Sequence, residues 1–270
     1  MSQPGRQYLS AQEVLPKMHA ESGFFLSRTP AQILVLAMTG GTFVTLGALF
    51  SILLSNGVSA AGPQILLQGL GFSVGFFMVI LSRAALFTEA NVLLPASALQ
   101  RTPMGLPAVA IRFWVLAWLG NMLGAFVAGA VISFAQVYPE SVTELLAITV
   151  GKKMAYLTDG GTALDWGRIV VSGMLGNGLI GMAAFFAIMA NTLVGKYVPI
   201  FLVVSLFVAG NLQHSPANMG YFSLSMAHGG GPGWVDAFLW NVIPAGIGNI
   251  LGGSLLVVLP FWFAFQHRMK

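Results

Sequence analysis

Cysteine is absent from the 270 residues, which excludes disulfides, thiolate metal sites and cysteine nucleophiles. Charge is nearly as scarce. Only 7% of the residues are Asp, Glu, Lys or Arg against 56% hydrophobic, and the mean hydropathy is +0.82, whereas soluble domains carry roughly a quarter charged residues. The net charge of +4 is too dispersed to form a nucleic-acid surface, so no nucleic-acid partner is expected. Paired intramembrane aspartates and metal-ligand clusters are also missing, as is the twin Asn-Pro-Ala signature of the aquaporins. No enzyme and no cofactor is expected.

What is present is apolar chain in membrane-length pieces. Spans of about 20 residues are predicted at 31–54, 65–99, 107–134, 166–190, 198–226 and 238–265. Six crossings put both termini on one side. Arg6, Lys17, Arg28, Arg101, Arg112, Lys196, Arg268 and Lys270 all fall on that side, while Lys152, Lys153 and Arg168 face the other with Glu140, Glu144, Asp159 and Asp165. The basic bias makes the terminal side cytoplasmic and a multi-pass protein of the inner (plasma) membrane, in contact with lipid, the expectation. The first thirty residues are charged throughout, so no cleavable signal peptide is expected. Ser10 and Glu13 have capping-box spacing, and residues 1–30 read as a cytoplasmic amphipathic segment, 31–266 as the transmembrane domain and 267–270 as a cytoplasmic tail.

The second and fifth spans are interrupted at matched places, Arg83 to Glu89 and Asn211 to Pro216. Lipid cannot satisfy a backbone that leaves its helix, so such chain must be buried in protein or line a cavity. Paired breaks in two halves mark a binding or conduction site. Gly120-Asn121-Met122-Leu123-Gly124 recurs as Gly248-Asn249-Ile250-Leu251-Gly252, a shift of 128 residues, and Gly40-Gly41 finds its likeness at Gly176-Asn177. Three spans occurring twice give an inverted repeat, because the second copy enters the membrane from the opposite side. The expected fold is all-α: six transmembrane helices as two inverted three-helix repeats, helices two and five broken, aquaporin-like.

His214 precedes Ser215-Pro216, where proline suits a first helical turn. An ionisable residue at membrane depth is a functional candidate by default, and histidine titrates near neutrality. Thr88 either caps the segment after it or offers its hydroxyl to a solute. Glu89 reads first as compensating the helix dipole and second as a fixed charge in the pore. Phe72 and Phe76, one turn apart, and Phe207 suit either core packing or apolar constrictions.

Leu86-Phe87-Thr88 and His214-Ser215-Pro216-Ala217-Asn218-Met219 resemble the Leu-Phe-Thr and His-Ser-x-Ala-Asn-Met motifs of the formate/nitrite transporter family, and the likeness covers nearly the whole chain. It implies a homopentamer of aquaporin-like protomers. Each would carry a pore for a small monovalent anion such as formate, nitrite, acetate, lactate or hydrosulfide. By the same resemblance His214 is the central histidine with Thr88 its partner. Leu86 and Phe87 form one constriction, Phe207 belongs to the other, and Asn177 lies behind the site; Gln213 and Asn218 belong to the same pathway. Two departures stand out. The family carries a glutamate where this chain has Gln213, and a lysine where it has Gly161; Lys152 and Lys153 are the nearest basic candidates for the vestibule. The expected mechanism is protonation of the anion at or near His214 and passage as the neutral acid, with direct anion conduction past a His214 that only donates a hydrogen bond as the other mechanism. The alternative is an aquaporin-like channel for small neutral solutes.

Overall fold

The computed structural model describes residues 6–99, 106–157 and 160–265; Arg101, Asp159, Arg268, Lys270 and the 267–270 tail lie outside them. The chain runs α1 (Ala11–Leu26), α2 (Pro30–Ser55), α3 (Ala61–Ser82), α4 (Phe87–Leu99), α5 (Leu106–Ala135), α6 (Glu140–Met154), α7 (Ala163–Met189), α8 (Leu193–Ala209) and α9 (Ser215–Ala227). A last helix, α10 (Trp234–Phe265), contains two π-helical stretches. Helices α2, α3, α5, α7 and α10 are each long and apolar enough to cross a membrane. Helix α8, at 17 residues, and α9, at 13, are each shorter than a bilayer requires.

Helix α2 packs on α3 and α5, as α7 packs on α8 and α10. The two short helices cross over. Helix α9 lies against α2 and α5, while α4 lies against α7 and α10. Glycines set the spacing, since packing in lipid relies on close van der Waals approach between small residues. A Cβ at Gly124 would run into the backbone of Met38, and one at Gly252 into that of Met174. Likewise Gly40 abuts the carbonyl of Ala85, and Gly176 that of Gln213. The duplicated glycines of the sequence thus make equivalent contacts in each half.

Helix α1 starts with the expected capping box: Glu13 accepts from the Ser10 backbone at 2.8 Å and hydroxyl at 2.6 Å. Its apolar face, Val14, Leu15, Met18 and Phe25, is buried against α4 and α7, so it covers protein as a lid over one end of the bundle. Pro16 is accommodated inside it. Arg83 joins Glu21 in an ion pair, and its guanidinium stacks 4.1 Å from the Phe24 ring centre, as does that of Arg28. Helix α6 was not among the predicted spans; it is short and half polar, and it lies against α9.

Candidate functional site

The chain leaves its helix after Ser82, with Arg83 in the left-handed region at φ 57°, and resumes at Phe87. In the second half it leaves after Ala209, with Asn211 left-handed at φ 47°, and resumes at Ser215. Each break exposes backbone groups that need partners, and an asparagine from an unbroken helix supplies them. Asn121 Oδ1 accepts from Phe87 N–H at 2.9 Å, while its Nδ2 donates to Ala85 O at 2.9 Å and Ala37 O at 2.8 Å. Asn249 Oδ1 accepts from Ser215 N–H at 2.8 Å, while its Nδ2 donates to Gln213 O at 3.1 Å and Gly173 O at 2.9 Å. Phe87 to Ser215 and Ala85 to Gln213 repeat the shift that separates the two asparagines. A further amide links the breaks: Asn177 Nδ2 donates to Thr88 O at 3.2 Å and to Asn249 O at 2.7 Å.

His214 is the N-cap of α9, and its Nδ1 accepts from Ala217 N–H at 3.2 Å. An accepting Nδ1 assigns the proton of the neutral ring to Nε2. That Nε2 is buried and has no hydrogen-bond partner among the described residues, and neither has Thr88 Oγ1. An unmet buried donor costs about 1–3 kcal/mol, so these atoms suit a transient polar guest. Helix N-termini begin at Phe87 and Ser215, and both favour negative charge.

Beyond His214 lies an aromatic group. The Phe207 ring meets His214 edge-on at 5.5 Å and lies tilted against Phe72 at 6.1 Å, and Phe72 stacks on Tyr221 at 5.8 Å. Tyr221, absent from the sequence expectations, shares a 2.7 Å hydrogen bond with Ser51. Lys153 reaches this group from the end of α6. Its Nζ donates to Leu212 O at 2.8 Å and sits 5.5 Å from the Phe207 ring centre. Burial pushes its ammonium down from 10.5 to about 7. Lys152 and Lys153 line, with Phe207, Tyr221 and Gln68, a cavity of about 80 Å³, whereas Lys152 is itself exposed. Gly161 could not host a lysine without rearrangement: its φ is +86° and a Cβ would strike Trp240. Gln213 Oε1 accepts from Asn218 at 2.7 Å and Asn241 at 3.0 Å, and Asn241 Nδ2 also donates to Lys153 O at 2.8 Å. Asn241 lies in the first π-helical stretch of α10, a feature frequent at functional sites.

On the opposite side of the breaks a cavity of about 320 Å³ is lined by Lys17, Glu21, Arg83, Glu89, Lys196 and apolar neighbours. Glu89 therefore occupies the first turn of α4 and faces this space as well. Leu86 and Phe87 are buried, Phe87 against an apolar pocket that it lines with Trp114 and Trp118, while Phe76 is buried in the common core and makes no ring contact with the Phe72–Phe207 group.

The profile described as formate/nitrite transporter matches residues 12–263. A probable formate transporter of Methanothermobacter thermautotrophicus is 29% identical over 248 residues, covering 87% of this chain and 89% of its own length. The formate channel FocA of Escherichia coli strain K12 is 26% identical over 275 residues, covering 94% of each. Among solved structures, a pentameric formate channel with formate bound aligns at a TM-score of 0.72 and 21% identity, over 88% of this chain and 98% of that one. An FNT family ion channel aligns at 0.77 and 22%, over 93% and 98%.

Proposed function

Since the chain belongs to the formate/nitrite transporter family, we propose that it carries small monovalent weak-acid anions, formate first among them, through a pore within each protomer. The observation that carries this reading is the pair of buried, partnerless atoms beside the helix breaks, His214 Nε2 and Thr88 Oγ1. Paired half-helix N-termini also serve neutral-solute channels, where they repel cations; here the buried ammonium of Lys153 beside the Phe207 ring favours an anion. The anion enters from the α6 side, where Lys153 supplies the attraction, and meets the apolar ring of Phe207, Phe72 and Tyr221. Leu86 and Phe87 form the opposite constriction. A bare anion loses several kcal/mol or more of hydration in such a constriction, so passage as the neutral acid is favoured.

The cap refines the role of His214. An imidazolium carries hydrogen on both ring nitrogens, so protonating Nδ1 would set it against the Ala217 N–H that it now accepts. We therefore assign His214 the part of a neutral donor through Nε2–H, with protons exchanged elsewhere along the path. The architecture proposed around it is a six-crossing inverted repeat with broken helices. Both termini lie on the cytoplasmic side of the inner membrane, and five copies assemble together. The matched asparagine clamps and the FNT-like fold support this arrangement. Flux of labelled formate against glycerol in proteoliposomes tests the function: formate uptake that rises with acidity and exceeds glycerol uptake is expected, and the reverse ranking overturns it in favour of a neutral-solute channel.

A further inference from the structure

The transport reading leaves one charged group near the breaks without a role. Glu89 directly follows Thr88, and its side chain lines the 320 Å³ cavity on the α1 side. No hydrogen bond or ion pair among the described residues engages its carboxyl. The groups that face it come from three elements. Helix α1 brings Lys17 and Glu21, the break brings Arg83, and α8 brings Lys196. Glu21 is already paired with Arg83, and Lys196 donates to the carbonyl of Ala187. On the same helix α1, His19 turns instead to Ser97, at 3.1 Å. Lys17 and Lys196 thus leave positive charge in the cavity, and Glu89 is the carboxyl that lines it with them, two residues beyond Phe87.

From this placement we propose that Glu89 is the proton-exchanging residue on the α1 side, serving the weak acid that the pore carries; the proposal rests on the transport reading. An anion held in the cavity by Lys17 and Lys196 takes the proton of the Glu89 carboxyl. The O–H bond of Glu89 breaks, one O–H bond forms on the substrate, and Glu89 is left as a carboxylate among three cations. The reverse step strips the arriving acid of its proton and retains the anion on that side. Two carboxylic groups differ little in intrinsic acidity, so the transfer is close to balanced and runs either way with the gradient. Such matching is what acid–base exchange requires. It also supplies what the His214 cap withholds, a proton donor close to the breaks.

The test uses the full chain in oriented membrane vesicles, right-side-out and inside-out, with labelled formate and the pH stepped on one side at a time. In the wild type, flux should rise as the pH on the α1 side falls. Glu89→Gln preserves shape but cannot titrate, and should lose that rise while keeping its response to pH on the α6 side. Glu89→Asp should retain the rise. Wild-type-like dependence on both sides in Glu89→Gln overturns the proposal and leaves the transport reading standing; a wild type that moves no formate overturns both. Should Glu89→Gln fail to fold, infrared difference spectra of wild type and Glu89→Asp decide the matter. Formate addition must change a protonated-carboxyl band that moves with the substitution, and an unchanged band overturns the assignment.

Discussion

At the scale of single residues, the division between donor and titrating group can be separated by substitution. His214→Asn keeps an N-cap, because asparagine ranks with the best capping residues, and it keeps an N–H donor on the other side of the amide. It cannot become a cation. We expect it to fold within about 0.5 kcal/mol of wild type and to retain acid-dependent formate uptake, while His214→Ala loses about 1 kcal/mol of cap together with the donor, and most of the flux. Thermal unfolding and vesicle flux check both. If His214→Asn conducts anion but loses all pH dependence, the ring itself is the relay. Lys153 gives a second pH signature. Its folded pKa of about 7 lies below the usual 10.5, so between those values the unfolded chain holds a proton that the folded chain lacks. Stability therefore rises with pH across that window and is flat below it. Anion attraction has the opposite sense, growing as the α6-side pH falls through about 7, and Lys153→Met should abolish both effects. Gln213→Glu probes the same corner: with Lys153 intact the new carboxylate has a nearby cation and should raise its pKa, moving the flux midpoint to higher pH. In a Lys153→Met background it becomes an unpaired buried charge, costing about 3–5 kcal/mol. Equal behaviour in the two backgrounds would show that the residues do not interact.

Among the elements, the two breaks depend on Asn121 and Asn249. Asn249→Leu strips partners from Ser215 N–H, Gln213 O and Gly173 O. Each buried polar group left unmet costs about 1–3 kcal/mol, so a loss of about 3 kcal/mol or more is expected, and Asn121→Leu should match it in the other half. Unfolding in detergent measures both. A loss confined to one variant would mean that the halves are held differently. These asparagines show how much of the site was legible in the sequence. Their glycine-flanked repeat was visible as a sign of duplication, and the interruptions at Arg83–Glu89 and Asn211–Pro216 were visible separately, through the aversion of lipid to free backbone. What the asparagines bond to was not visible, since those bonds link residues 34 or more positions apart. The lysine was harder still. Lys153 sits on α6, too short and too polar to register as a span, and only the packing of α6 on α9 carries its ammonium to Leu212 O. Tyr221 follows the His214–Met219 motif by two residues without belonging to it, and Asn241 lay inside an apolar helix with no motif around it. A polar side chain within such a run was the available signal, though it does not name a partner. Helix α1 was anticipated in its cap but not in its docking. Glu13 is held near 2 by Ser10 and Arg6, so its contribution is present above its ordinary range and fades only as pH falls toward 2.

For the whole molecule, the decisive matter is where the path runs. Both cavities, both clamps and the aromatic group are supplied by one chain, whereas the outer faces of α5, α7 and α10 expose Ile111, Val115, Phe126, Leu175, Val171 and Leu255. A monomer with such sides needs lipid or sister copies around it, and a ring of five would cover part of that surface without contributing residues to the pore. Conduction should then be additive over protomers. If wild-type and transport-impaired His214→Ala chains, carrying different tags, are mixed during expression and the assembled oligomers reconstituted, flux per oligomer should fall in proportion to the fraction of impaired chains. A path along the central axis, lined by every copy, would instead collapse steeply, because one impaired chain in a ring would hinder the whole. Counting tags in each oligomer class by mass spectrometry fixes the composition. The His214→Ala chain must first be shown to assemble, since loss of an N-cap weakens the start of α9; assembly at wild-type size with a linear decline in flux places the pore inside the protomer, and a steep decline places it between protomers.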